Sequence, residues 1–236
     1  VDLDVRDGEV AALIGPNGAG KTTLFNVVSG FVRPAAGRVT FAGRDLARLS
    51  THEVAAAGLV RTFQKTSVFG AISTYDNVRT SLHLEGRAGL LATLLGLPTV
   101  AREERRIAAR AAEILEFVGL THRAQDPAES LPYGEQRLLE IAIALGASPR
   151  LLLLDEPAAG MNPTETSALG ALIGRIRASG VTVLLVEHDI RLVMRVSDRV
   201  TVLDHGKVIC CDTPRVVQRH PAVVQAYLGA SPGDAA

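Results

Sequence analysis

Lysine is scarce in this chain: among 25 basic residues only Lys21, Lys65 and Lys207 are lysines. A lysine that completes a motif is therefore poorly explained by composition. Cysteine is scarcer still, and the pair Cys210 and Cys211 is adjacent. Neighbours on an extended strand point to opposite faces, which argues against a structural disulfide between them, and the pair reads as two reduced thiols. No apolar run is long enough for a membrane span. The longest charge-free, strongly apolar stretch, residues 88–100, is broken by Gly96 and Pro98 and falls short of the roughly 20 residues a spanning helix needs. Neither sign of charge is in excess, at 25 basic against 25 acidic residues. The densest run, residues 102–110, mixes signs as a solvated helix face does, which argues against a nucleic-acid partner. The opening VDLDVRDGEV lacks the apolar core and small-residue cleavage site of a secretion signal, so a cytoplasmic location is expected. It also lacks an initiator Met, so further chain is expected upstream.

What is present reads as a single α/β unit carrying an insertion, as 236 residues allow. The alternation VDLDV predicts an antiparallel N-terminal strand, with a turn at Arg6-Asp7-Gly8. A buried strand over 10–14, a glycine-rich loop and a helix over 22–29 ending at Gly30 follow. Further on, a strand over 38–41, a short helix over 52–57 and a strand over 59–63 ending at Gln64 are expected. From about residue 74 the pattern turns helical, with Ile107, Ala111, Ile114, Leu115 and Val118 at spacings of three and four. Strand signals return at 151–154, 181–186 and 200–203. Each is a continuous apolar run, as a parallel sheet covered on both faces requires. The organisation expected is a mainly parallel core over 1–73 and 149–236 with an inserted helical subdomain over 74–148.

Gly15-Pro16-Asn17-Gly18-Ala19-Gly20-Lys21-Thr22 fits G-x-x-x-x-G-K-[ST] and stands between a strand and a helix, where the mechanism needs it. Glycines let successive backbone N–H groups turn around a phosphate chain, and the helix start adds unpaired amides and the positive end of its dipole. In that loop Lys21 reaches the β and γ phosphates and the Thr22 hydroxyl ligates Mg²⁺. The pattern arises by chance in roughly one such chain in a few hundred. Its single occurrence, with no internal repeat, implies one nucleotide-binding unit.

Leu151-Leu152-Leu153-Leu154 runs into Asp155-Glu156. Burying a strand explains the leucines and leaves the acids unexplained. At the carboxyl end of a parallel strand Asp155 is placed to hold Mg²⁺, and Glu156 to polarise the attacking water as general base.

GTPases and nucleotide kinases share those two motifs, so a third is needed. Leu131-Pro132-Tyr133-Gly134-Glu135-Gln136-Arg137 resembles the signature loop of ATP-binding-cassette ATPases. Gln64 at a strand end is similar to that family's Q-loop residue, and His188 after VTVLLVE to its switch histidine. The resemblance spans nearly the whole chain and implies a P-loop NTPase fold. It further implies that two subunits pack head to tail, each ATP lying between one subunit's phosphate loop and the other's signature. Nucleotide contacts then fall to residues 15–22, Thr23, and, across the dimer, Tyr133, Gly134 and Glu135. Mg²⁺ falls to Thr22, Gln64 and Asp155, and turnover to Glu156, His188 and Gln64.

GPNGAGKTTLFNVVSGF, TSLHLEGRAGLLATLLGLP, DEPAAGMNPTET and VVQAYLG resemble the larger ATPase subunit of branched-chain amino-acid importers. That resemblance implies import through membrane permease subunits at the cytoplasmic membrane face, served by a periplasmic solute-binding protein. Lipopolysaccharide-export ATPases share several of these stretches and stand as the alternative, with soluble non-transport cassettes behind them. The latter usually carry paired cassettes, coiled-coil insertions or basic tracts, which this sequence lacks; a GTPase would need an N-K-x-D-like guanine reader, also missing. Three residues depart from the family pattern: Pro132 for the usual Ser, Glu135 for Gln, and Asn162 for Asp. All three fall at the expected dimer interface, which favours a heterodimer with a second cassette ATPase over a homodimer. The aromatic that usually stacks on adenine would lie before Val1.

Overall fold

The computed structural model describes residues 1–62, 68–82 and 98–228. Chain contacts divide it into two compact units, Val1–Gln64 with Arg150–Ala236, and Lys65–Pro149. In chain order the elements are β1 (Val10–Ile14), α1 (Lys21–Val28), β2 (Thr40–Phe41), β3 (Arg44–Asp45), α2 (Thr51–Ala56) and β4 (Leu59–Arg61). Next come α3 (Thr74–Leu82), α4 (Pro98–Val118) and α5 (Tyr133–Gly146). The chain then returns through β5 (Leu151–Asp155), α6 (Pro163–Ala178), β6 (Thr182–Val186), α7 (Ile190–Val196), β7 (Arg199–Asp204), β8 (Lys207–Asp212), α8 (Pro214–Val217) and α9 (Pro221–Leu228).

The first unit is built on one sheet of order β4-β5-β6-β1-β7-β8. All pairings are parallel except the β7–β8 edge. Every residue of β1, β5 and β6 is buried, which is why these strands read as unbroken apolar runs rather than alternating ones. Register brings three strand ends level: Leu13 of β1 and Asp155 of β5 both pair with Val186 of β6. Whatever follows those residues in the chain therefore gathers at one edge of the sheet, where α/β proteins bind ligands.

The helices start and stop where local chemistry dictates. Helix α1 ends in a Schellman arrangement, with Phe31 N–H donating to the Asn26 carbonyl at 2.8 Å and Gly30 N–H to that of Val27 at 3.2 Å. Gly30 supplies the positive φ of 78° that this requires. Helix α6 opens with a capping box. The Asn162 side chain accepts from the N–H groups of Thr164 and Glu165, and Glu165 reaches back to the Asn162 N–H.

Two expectations need correction. Residues 1–6 form no strand. Leu3 and Val5 instead lean, half-buried, on the core cluster around Leu13, Phe25 and Leu184, so the alternation reports one-sided burial without a ladder partner among the described residues. The strand expected over 38–41 shortens to β2, which pairs with β3 in a two-stranded antiparallel hairpin. Strand β8 joins the sheet edge antiparallel to β7. Its residues are exposed or half-buried, so its short apolar run, Val208-Ile209-Cys210-Cys211, is not matched by full burial, and this strand is missing from the expected sheet. It carries both cysteines as free thiols.

The second unit is helical. Ile107, Ala111, Ile114, Leu115 and Val118 of α4 are all buried, as their spacing predicts, alongside Val78 and Leu82 of α3 and Leu139, Ile141 and Ala142 of α5. Helices α3 and α5 touch at Gly146, where a Cβ would stand 2.1 Å from the Ser81 hydroxyl. The segment before α3 is part of this unit because buried Asn77 ties it down. Its amide donates to the carbonyls of Phe69 and Ser73 at 3.0 Å, and its oxygen accepts from the Phe69 N–H at 2.8 Å.

Candidate active site

The glycine-rich loop leaves β1 at Gly15, whose φ is 153° and where a Cβ would lie 2.0 Å from the carbonyl oxygen of Leu203. No side chain fits there, so the loop can lie directly against β7. Gly18 and Gly20 adopt φ of 78° and 101°, turning the chain so that α1 begins at Lys21. No side chain caps α1, and its first-turn amides stay available to an anion. Thr22 and Thr23 are exposed at this end, while Lys21 is buried. The Lys21 ammonium lies across the loop, donating to the carbonyls of Gly15 at 2.7 Å and Pro16 at 3.0 Å. Burial lowers its pKa, and the charge of Glu156 opposes that shift.

Asp155, at the end of β5, is 2% exposed. Its Oδ2 pairs with the Arg61 guanidinium at 2.7 Å. Arg61 is held in turn by Asn26 Oδ1 at 2.7 Å and Ser29 Oγ at 3.1 Å, and lies over the Phe25 ring. Asp155 Oδ1 is buried and has no hydrogen-bond partner among the described residues. An unpaired buried carboxylate oxygen is costly, and a hard cation is the ligand that suits it. The donor set therefore fits Mg²⁺ on Asp155, with one oxygen committed to Arg61 and the other open to a cation.

Glu156 follows with φ of 49°, a left-handed conformation that a non-glycine residue adopts at a cost and that concentrates at functional sites. Its N–H donates to the Val186 carbonyl at 2.9 Å, and its Oε1 lies 2.8 Å from His188 Nε2. The sequence expected these two residues in one site, and the structure brings them into contact. Beneath them sits Glu187, 3% exposed, whose carboxylate accepts from the backbone N–H groups of Ala158, His188 and Asp189. Burial raises its pKa, with the charge of Glu156 adding to the rise, and the three N–H donors oppose that shift in part.

In the second unit the signature-like loop opens α5. Pro132 occupies the N-cap and no side chain caps the first turn. Tyr133 is exposed, and its phenol oxygen accepts from Arg137 Nε at 3.0 Å. Gly134 is buried. Glu135 is engaged within its own unit, accepting from Arg123 Nε at 3.0 Å and lying 3.3 Å from His122 Nε2. Gln64 lies outside the described residues.

Sequence reasoning missed Arg61 and Glu187. Nothing in one sequence reveals that β4 pairs with β5, which is what brings Arg61 to Asp155. Glu187 did carry a signal, an acid directly after the buried run of β6, the same signal that marked Asp155.

Residues 1–159 match the ABC transporter family, and residues 207–232 match the branched-chain amino acid ATP-binding cassette transporter family. The chain is 44% identical to the high-affinity branched-chain amino acid transport ATP-binding protein BraF of Pseudomonas aeruginosa. It is 43% identical to the corresponding LivG protein of Salmonella typhimurium. Each alignment covers 97% of this chain and 90% of the relative. Among solved structures, an ATP-binding cassette of an ABC transporter in its ADP conformation superimposes with a TM-score of 0.82 at 31% identity, covering 97% of this chain and 91% of that one. The chain belongs to the ABC transporter family as one of its nucleotide-binding ATPases.

Proposed function

We propose that this cassette binds ATP with Mg²⁺ and hydrolyses it to drive import of branched-chain amino acids through membrane permease subunits, at the cytoplasmic face of the membrane. The observation that carries the hydrolytic reading is the Glu156–His188 contact of 2.8 Å, set at the sheet edge that also bears the glycine-rich loop. Within that site the loop over residues 15–22 cradles the phosphates through its backbone N–H groups, Pro16 alone having none, and Lys21 turns from its loop carbonyls to the β and γ phosphates. Thr22 and Asp155, with Gln64, would hold Mg²⁺, which neutralises phosphate charge when bound. Glu156 takes a proton from water as the water oxygen bonds to the γ phosphorus and the bond to the bridging oxygen breaks, leaving ADP with the electron pair. His188 keeps the Glu156 carboxylate aimed and meets the γ-phosphate.

Tyr133, Gly134 and Glu135 serve the ATP of a partner cassette, and Thr23 extends the phosphate contacts of this one. The partner is a second cassette ATPase, with a periplasmic solute-binding protein delivering cargo to the permease. Cargo rests on other residues, because an ATPase subunit does not touch it. The match over residues 207–232 and the names of the two relatives support branched-chain amino acids. Lys21→Ala tests the assignment: nucleotide affinity should fall at least about a hundredfold, about 2.7 kcal/mol, in a folded protein. ATP-dependent leucine uptake by the reassembled transporter in proteoliposomes should vanish with it. Affinity within threefold of wild type removes Lys21 from the site, and ATPase activity without uptake of leucine, isoleucine or valine removes the cargo.

A further inference from the structure

We propose that Glu187 is a positioning residue of the hydrolytic site, tying the turn that carries Glu156 to the loop that carries His188. The inference rests on the roles given above to those two residues. Its geometry is a two-sided clamp. Glu187 Oε1 accepts from the Ala158 N–H at 2.6 Å, two residues beyond Glu156. Oε2 accepts from the His188 N–H at 3.0 Å and the Asp189 N–H at 3.4 Å. One carboxylate thus fixes backbone on both sides of the 2.8 Å Glu156–His188 contact.

A purely structural role accounts poorly for the residue. Strand β6, directly before it, is Thr182 and four aliphatic side chains, all buried, and an apolar residue at 187 would continue that pattern without the desolvation cost of a buried carboxylate. Helix α7 does not need Glu187 as a cap, because Asp189 already accepts from the N–H groups of Arg191 and Leu192. Three converging N–H donors call for a group that accepts through both oxygens and donates nothing, which among side chains of this length is an ionised glutamate. Glutamine would turn an NH₂ toward one set of donors. Aspartate is one methylene shorter and cannot span the two segments.

Glu187→Gln should leave ATP affinity within about threefold and lower kcat by about 10- to 100-fold, the scale of an ångström-level misplacement of a catalytic group. Because Glu187 acts through the Glu156–His188 pair, the same change in a His188→Ala background should cost less than about threefold further. A kcat near wild type in the folded variant overturns the proposal. So does an undiminished 10- to 100-fold loss on top of His188→Ala. Amide hydrogen exchange on the wild-type protein needs no variant to fold: the Ala158 and His188 N–H groups should be protected together. Exchange of either at the rate of an open loop contradicts the clamp. Glu156→Gln run in parallel separates the two failures. Wild-type turnover there sinks the general-base reading itself, whereas a dead Glu156→Gln beside an active Glu187→Gln sinks the clamp alone.

Discussion

Gly15 and Gly18 lie three positions apart in one loop and are glycine for different reasons. At Gly15 a Cβ would collide with the Leu203 carbonyl at 2.0 Å, whereas at Gly18 nothing lies within 4 Å and only φ, 78°, opposes a side chain. Gly18→Ala should therefore cost about 1–2 kcal/mol, the strain of a left-handed residue. Gly15→Ala must also push the loop off β7, and should cost at least about 2 kcal/mol more, with loss of nucleotide binding. Urea unfolding of the two variants decides; equal losses would contradict the close approach. The phosphate loop was legible because its motif is contiguous in sequence, although the close approach of Leu203 that requires Gly15 is not written there. Arg61 was not, since its meaning depends on a strand pairing that joins residues 94 positions apart. Its effect is to commit one Asp155 oxygen and leave the other open, a division of labour that the motif alone does not contain.

Among the elements, the buried strands and α4 were read correctly because burial on both faces, or on one helical stripe, writes itself into the sequence as a period. Strand β8 and residues 1–6 were not, because a half-buried edge strand has a weak period and a one-sided alternation does not require a ladder. The departures at the expected dimer interface now divide. Asn162 caps α6 through its side-chain oxygen, a task Asp performs equally well, so it gives no sign of a weakened interface. Pro132 does: at the N-cap of α5 it has neither a hydroxyl nor an N–H to offer. If the signature loop recognises the γ-phosphate through a capping hydroxyl, each lost hydrogen bond to that charge is worth about 1.5–3 kcal/mol, one to two decades in affinity. Two identical copies would carry the defect twice, and a second, different cassette would carry it once. Pro132→Ser should then raise ATPase activity per phosphate loop in the lone chain by about tenfold or more, and far less in the assembly with its partner cassette. Full activity of the lone wild-type chain, unchanged by Pro132→Ser, would leave recognition to the backbone amides near Gly134 and remove the case for asymmetry.

At the scale of the whole molecule, the proposed function divides the chemistry between the two units. One brings Gly15, Asp155, Glu156, Glu187 and His188 to a single sheet edge through the matched register of β1, β5 and β6. The other presents the uncapped start of α5. Neither half hydrolyses ATP by itself in this account, which makes Glu156 the point on which everything else converges. Its replacement by glutamine keeps shape and hydrogen bonding while removing the base. Turnover of the assembled transporter should fall by roughly 10²- to 10⁴-fold, about 3 to 5 kcal/mol of barrier. ATP affinity should stay within threefold, and the ATP-bound cassettes should remain associated on size exclusion. Wild-type hydrolysis by Glu156→Gln, in protein that still binds ATP, would contradict the account at its centre.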